Sequence, residues 1–485
     1  MHIVHIASEL APLAKVGGLG DVIHSLSKEF VRLGAKVEII IPRYDCIDFS
    51  KVKNLHVEKK ELVISEGKHK INNTIWKGTF DGLDILFIDP HHPKDYFNQG
   101  TIYGSSDDAA KFIYFSKAAL EYLLQTKKNP DILHVHDWIS ALIPVLIKEM
   151  YAPLGLKIKG TVLTIHNMEH QGKCTPFHLT QAGLKGDSFL KPEKMQDPLL
   201  PELINLLKGG IEYADIITTV SPNYEQEIKT PQGGFSLDKL LLEHQNKLHG
   251  ILNGIDIETW NPEKDPYLVA NFSSKNIEKK QDNKKQLRTH FQLKEGNFPI
   301  VASVTRLARQ KGPHLIKHAI LRTLEKGGQF VLLASGSKDE MKEFIELKDA
   351  LKENKNVGIC LDNDEMLAHL IYAGADMFII PSIFEPCGLT QMLSLRYGTI
   401  PIARRTGGLA DTVFDIDTSE KPQHERNGFT FDFPDAEGVN WALDRAINFF
   451  NNHPKKWQNL IHLGMKQDFS WVSSAKQYLN LYKEL

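Results

Sequence analysis

Cations set beside glycines recur where a β-rich run gives way to a helical one. Lys15-Val16-Gly17-Gly18-Leu19-Gly20-Asp21 follows the alternating run His2 to Ser8 and opens a stretch, Asp21 to Leu33, with apolar residues at helical spacing. Bare backbone N–H groups at such a junction can approach an anion. The helix start adds about half a positive charge and Lys15 a full one. Arg306-Leu307-Ala308-Arg309-Gln310-Lys311-Gly312 repeats the arrangement with two or three cations, the outline of a diphosphate clamp. Charge-assisted bonds of that kind contribute roughly 1.5–3 kcal/mol each. A dinucleotide fingerprint is a poorer reading, because the spacing is Gly-Gly-x-Gly and the second strand ends in Pro42-Arg43 with no acid to hold a ribose.

Other strand ends offer groups suited to hydroxyls. His134-Val135-His136-Asp137-Trp138 closes an apolar run, and strand alternation puts His134, His136 and Trp138 on one face with Asp137 opposite. Asp137 could accept from a hydroxyl-rich substrate, or cap the following helix. Thr164-Ile165-His166-Asn167 supplies a donor and acceptor pair. In Pro381-Ser382-Ile383-Phe384-Glu385-Pro386-Cys387-Gly388-Leu389-Thr390, Glu385 sits among apolar and rigid residues, either as a buried structural acid or as a substrate contact. Cys387, Gly388, Leu389 and Thr390 lead into a helix whose start suits phosphate or sugar, and Arg404-Arg405-Thr406-Gly407-Gly408 is a third such junction. Together these loops suit a nucleoside diphosphate joined to a hydroxylated group. His134-x-His136 and His166-x3-His170 have metal-ligand spacing, but no third ligand accompanies them in sequence, so no metal is expected.

The elements that must position these loops can be read from the 485 residues. Length allows two large domains or three smaller ones. A hydrophobic content of 42%, a charged content of 24% and a net charge of -2 describe an ordinary globular protein and argue against nucleic acid or membrane partners. Four scattered cysteines without a Cys-x-x-Cys, and an N-terminus lacking a basic and then apolar leader, point to reduced thiols and a cytoplasmic location. Strands are expected at 37–41, 131–136, 160–165 and 214–220, with a hairpin around Asp81-Gly82. A second series is expected at 299–304, 329–334, 357–361, 376–380 and 400–403, with helical segments between and a helical tail from Ala436. Strand and helix alternating twice over means two doubly wound parallel-sheet domains, each offering strand-end loops to a cleft.

Lys15 to Val22, His166-Asn167, Val220-Ser221-Pro222, Asn253-Gly254-Ile255-Asp256, Arg306 with Gln310-Lys311-Gly312, Phe384 to Gln391 and Arg405 to Leu409 occur in order over nearly the whole chain. In this the chain resembles the bacterial glycogen synthases and plant starch synthases. The resemblance implies a GT-B fold, two Rossmann-like domains facing across a cleft. Residues 1–250 plus 464–485 would form the acceptor-side domain, with the last helix packing back, and residues 251–463 the nucleotide-sugar domain. It implies retaining transfer of glucose from ADP-glucose to the non-reducing end of an α-1,4-glucan, with no cofactor. Carried over, Lys15, Gly17, Gly18 and Asp21 belong to the donor loop. Arg306 and Lys311 stabilise the leaving diphosphate, and His166 and Asn167 meet the transferred glucose. Glu385 orients that glucose, Cys387 to Thr390 help bind donor, and Asp137 lies on the acceptor side.

The chain departs from the commonest bacterial pattern at Val16, Ile139 and His170, and its texture near Asn167 to Gly172, Lys194 to Asp197 and Thr230 to Gly234 resembles plant starch synthase classes III and IV. Asn363 stands where the family often has Tyr, which bears on the choice of base. UDP-glucose is the alternative donor, and a non-catalytic glucan-binding or priming protein is the alternative function. Double displacement needs two carboxyls about 5–5.5 Å apart. No second acid pairs with Glu385 in sequence, so front-face substitution is the expected route.

Overall fold

A computed structural model describes all residues from Met1 to Leu485. The chain divides into two compact units, Met1–Gly254 with Trp471–Leu485, and Ile255–Ser470. None of its helices is long and apolar enough to cross a membrane, and all four cysteines are free.

The first unit is built on nine strands. Across the sheet they run Leu248–Gly250, Ile216–Thr219, Gly160–Ile165, Ile132–His136, His2–Ile6, Lys36–Pro42, Leu83–Pro90, His69–Phe80 and Lys53–Glu66. The first seven are parallel, and the last two join as antiparallel hairpins. The hairpin expected at Asp81-Gly82 is present: Asp81, at φ 49°, joins His69–Phe80 to Leu83–Pro90. The parallel strands read as nearly unbroken apolar runs because helices cover both faces. The helix Gly18–Arg32 buries Leu19, Val22, Ile23, Leu26 and Phe30, each fully buried side chain contributing about 1.5–3 kcal/mol. The final helix, Trp471–Lys483, lies in this unit, with Tyr478 and Tyr482 buried against Phe30. The helical segment expected between the strands at 131–136 and 160–165 consists of two short helices, Asp137–Ser140 and Leu142–Leu146, followed by a widened turn.

The second unit holds a six-stranded parallel sheet in the order Val357–Cys360, Gln329–Ser335, Ile300–Arg306, Met377–Ile380, Ile400–Arg404, Phe429–Phe431. Its core gathers Val301, Ile316, Phe330, Met377, Ile402, Phe429, Leu443 and Trp457. Among the parallel strands of each sheet the order reverses once. In the first unit the reversal lies between His2–Ile6 and Ile132–His136. In the second it lies between Ile300–Arg306 and Met377–Ile380. A doubly wound sheet opens a crevice beyond the carboxyl ends of its strands at such a point, since the flanking connections run to opposite sides.

Candidate active site

In the second unit the reversal point carries the expected cations. Arg306 ends its strand and is exposed, and the tight turn Arg309–Lys311 follows before the helix Pro313–Glu325. On the adjoining strand, the loop after Ile380 brings Glu385 to Lys311, with Nζ 2.5 Å from a carboxylate oxygen. The Ser382 hydroxyl donates to the same oxygen at 2.8 Å. Glu385 is buried, so this ion pair and hydroxyl offset the loss of water around its charge. Arg306, Lys311, Glu385 and Thr390 line one pocket of about 170 Å³. Thr390 is the first residue of the helix Thr390–Arg396.

The glycines of Arg405-Thr406-Gly407-Gly408 support this loop from beneath. Gly407 has φ 44°, and a Cβ there would lie 1.9 Å from the Glu385 carbonyl oxygen. The Gly408 N–H donates to the carbonyls of Glu385 and Pro386, at 3.1 Å each. Gln391 adds a clamp: its amide donates to the carbonyls of Cys387 and Gly388, at 3.1 and 2.9 Å, and to the Thr412 hydroxyl. Cys387 is buried and Gly388 has φ 71°. In sequence the glycine pair stands out only as a strand-to-helix junction and Gln391 only as part of a motif, and neither spacing reveals this supporting part.

In the first unit the helix after the Lys15 loop starts at Gly18 with no side-chain cap, as an anion site at a helix start requires. Lys15 is tied to Asp21 at 2.8 Å. Burial raises the Asp21 carboxyl above its ordinary value, and Lys15 opposes that rise. The amides of Val16 and Gly17 are already engaged: both donate to one oxygen of Glu9, at 2.8 and 2.9 Å. Its other oxygen accepts from Tyr103 at 2.7 Å. Glu9 is buried and shapes the loop, a part that spacing along the chain does not reveal. Its only signal was an acid just beyond the carboxyl end of the first strand.

Asp137 departs from the alternation expected of a continuing strand. The strand stops at His136, and Asp137 turns the chain with φ 52°. Trp138 therefore leaves the histidine face and packs edge-on to Phe112 and against Gly172. One Asp137 oxygen accepts from the backbone N–H groups of His166 and Asn167, at 2.7 and 3.3 Å. This carboxylate thus ties two strand-end loops together, and burial pushes it up to about 7. His166, Asn167 and Asp137 form one cluster.

A third histidine joins the pair singled out for metal spacing. Ring nitrogens of His5, His134 and His136 lie within 4.8 Å of one another. His134 is held at both nitrogens, by Thr164 at 2.6 Å and Tyr482 at 2.7 Å. His136 is likewise held by His5 and His166, at 3.1 Å each. An ion would have to displace these bonds, so the donor set suits a hydrogen-bonded network better than a metal.

The chain is similar to known proteins along its whole length. Residues 2–243 match the family model of the starch synthase catalytic domain, and residues 285–459 that of the group 1 glycosyl transferases. A glycogen synthase of Protochlamydia amoebophila is 48% identical across 100% of this chain and 99% of its own. A probable chloroplastic or amyloplastic starch synthase 4 of Arabidopsis thaliana is 48% identical across 99% of this chain, over 47% of its own length. The solved catalytic domain of starch synthase IV from Arabidopsis thaliana, bound to ADP and acarbose, matches with a TM-score of 0.96 and 47% identity, over 100% of this chain and 99% of that one.

Proposed function

The chain belongs to the glycogen and starch synthase family of two-domain, GT-B glycosyltransferases, and on that premise we propose that it moves glucose from ADP-glucose to the non-reducing end of an α-1,4-glucan, with retention at the anomeric carbon. The observation that carries the chemistry is the pocket where Arg306, Lys311, Glu385 and Thr390 meet. ADP rather than UDP is favoured by the likeness to a starch synthase domain that was solved with ADP.

Bond breaking puts negative charge on the departing diphosphate. Arg306 and Lys311 supply cations for that charge, each worth about 10²–10³ in rate. Lys311 leans on Glu385. A bound diphosphate would share it, while Glu385 and His166 orient the glucosyl unit. Lys15, the backbone of Gly17 and Gly18, and Asp21 serve the donor, as do Asn167 and Cys387 to Thr390, and Asp137 serves the acceptor side. Glu385 is engaged by Lys311 and Ser382, which suits an orienting role better than that of a free nucleophile. Front-face substitution follows: the departing phosphate oxygen takes the acceptor hydroxyl's proton as the new glycosidic bond forms on the same face. We place the reaction in the cytoplasm.

The test is glucose incorporation into glycogen with ADP-glucose and UDP-glucose side by side. ADP-glucose should be used faster. Faster transfer from UDP-glucose would overturn the donor, and no transfer from either would overturn the activity in favour of a binding or priming role. Arg306→Ala and Lys311→Ala should each lower kcat by about 10²–10³. Near wild-type turnover in both would defeat the assignment of the clamp.

A further inference from the structure

At the reversal point of the first sheet, His5 and His134 are register partners on neighbouring strands, and His136 follows two residues on. His5 Nδ1 lies 3.1 Å from His136 Nε2, and His136 Nδ1 lies 3.1 Å from His166 Nε2. Three imidazoles therefore form an unbranched chain from the buried interior of the sheet to His166, which is only half-buried. The remaining neighbours of the chain are rings: Phe30 stacks on His5, and His134 lies against both His5 and His136. No acid is a hydrogen-bond partner of any of the three rings. Burial holds His5 and His166 down to about 3, and His134 and His136 well below their ordinary value, so all are neutral at pH 7.

A neutral imidazole has one N–H and one bare nitrogen. The two bonds can then run in only two ways. Running inward, His166 donates to His136, His136 donates to His5, and the last hydrogen sits on His5 Nε2. That atom is buried and has no partner. Running outward, His5 donates to His136, His136 donates to His166 Nε2, and the orphan at His5 Nε2 is a lone pair. A buried N–H without an acceptor is the rarer and costlier defect. The outward direction leaves the hydrogen of His166 on Nδ1, a nitrogen with no partner in the chain.

We propose that His5 and His136 are positioning residues that fix His166 in the tautomer with its hydrogen on Nδ1, making the free edge of that ring a hydrogen-bond donor to an oxygen of the transferred sugar. This rests on the reading of His166 as a contact of the glucosyl unit. A ring free to adopt either tautomer would present a donor only part of the time. The backbone is held as well, since Asp137 accepts from the His166 N–H, so the network fixes both the place and the polarity of the contact.

The test uses the full chain labelled with ¹⁵N-histidine at pH 7, with the His166 signals identified by their loss in His166→Gln. Wild type should show His166 protonated at Nδ1 and bare at Nε2, and His136→Leu should show mixed tautomers. The same variant should lower kcat/KM for ADP-glucose about tenfold, the worth of one hydrogen bond, with KM for glycogen unchanged. His136→Asn, whose amide nitrogen can still donate to His166 Nε2, should restore the tautomer and most of the activity. A wild-type His166 protonated at Nε2 or at both nitrogens would overturn the proposal, as would an Asn variant no better than Leu, or a metal bound stoichiometrically to the purified protein. If the tautomer is fixed in wild type and released in His136→Leu while donor kinetics stay the same, the relay stands and the reading of His166 as a sugar contact falls.

Discussion

The support beneath Glu385 gives the sharpest quantitative expectation. A Cβ placed on Gly408 would lie 2.1 Å from the Cys387 carbonyl oxygen and 2.5 Å from its Cα, against the 3.0 Å that real Cβ contacts keep. The obstacle is backbone, with no flexible side chain to yield, so Gly408→Ala must push the 385–387 segment away by about 0.9 Å. The two carbonyls that accept from the Gly408 N–H belong to Glu385 and Pro386, so the shift passes directly to the carboxylate held 2.5 Å from Lys311. A misplacement of about 1 Å at a reacting centre costs about 10² in rate. Overpacking of this kind costs about 2 kcal/mol of stability, a fall in Tm of roughly 4–8 °C. The assay is kcat for glucose transfer to glycogen, measured well below Tm beside a thermal melt. Gly327→Ala is the control: its φ of 75° brings strain of about 1 kcal/mol, but no atom lies within 4 Å of the new Cβ, at the far end of the sheet from the pocket. It should lower Tm by a few degrees and leave kcat intact. Wild-type kcat in Gly408→Ala, or equal loss of kcat in both variants, would refute the reasoning.

Two further expectations concern the first unit. Glu9→Ala frees the Val16 and Gly17 amides and should raise KM for ADP-glucose about tenfold, with Glu9→Gln intermediate; steady-state kinetics that match wild type would remove Glu9 from the donor loop. Asp137 has a folded-state value of about 7, above the 3.8 of an ordinary aspartate. The folded chain therefore holds this proton more tightly than the unfolded one. The stability it supplies is complete below about pH 4 and is lost as pH rises through 7. Asp137→Asn, which can still accept from His166 and Asn167, lacks that loss. Melts from pH 5 to 8 should show wild type falling relative to the variant, and parallel curves would contradict the raised Asp137 carboxyl.

Much of this protein was legible along the chain. Apolar runs broken by amphipathic stretches specify parallel strands covered by helices, because period and length are local properties. The cations Arg306 and Lys311 and the acid Glu385 were also readable, since each ends a strand or follows one within a few residues, and strand ends and the loops after them collect at one edge of a parallel sheet. The same local logic failed where it was extended one residue too far: Asp137 turns with positive φ, and Trp138 leaves the face expected of it. Tertiary structure alone decided the supports. His5 and His136 are 131 residues apart, and Tyr103 is 94 residues from Glu9. Gly407 and Gly408 reach the Glu385 loop only because their strand is the next one in the sheet. Sequence spacing cannot encode such pairs, because the order in which strands lie side by side is fixed by the packing of whole elements. That order determines which charge is paired, which amide is already taken and which nitrogen of a histidine is left without a hydrogen bond.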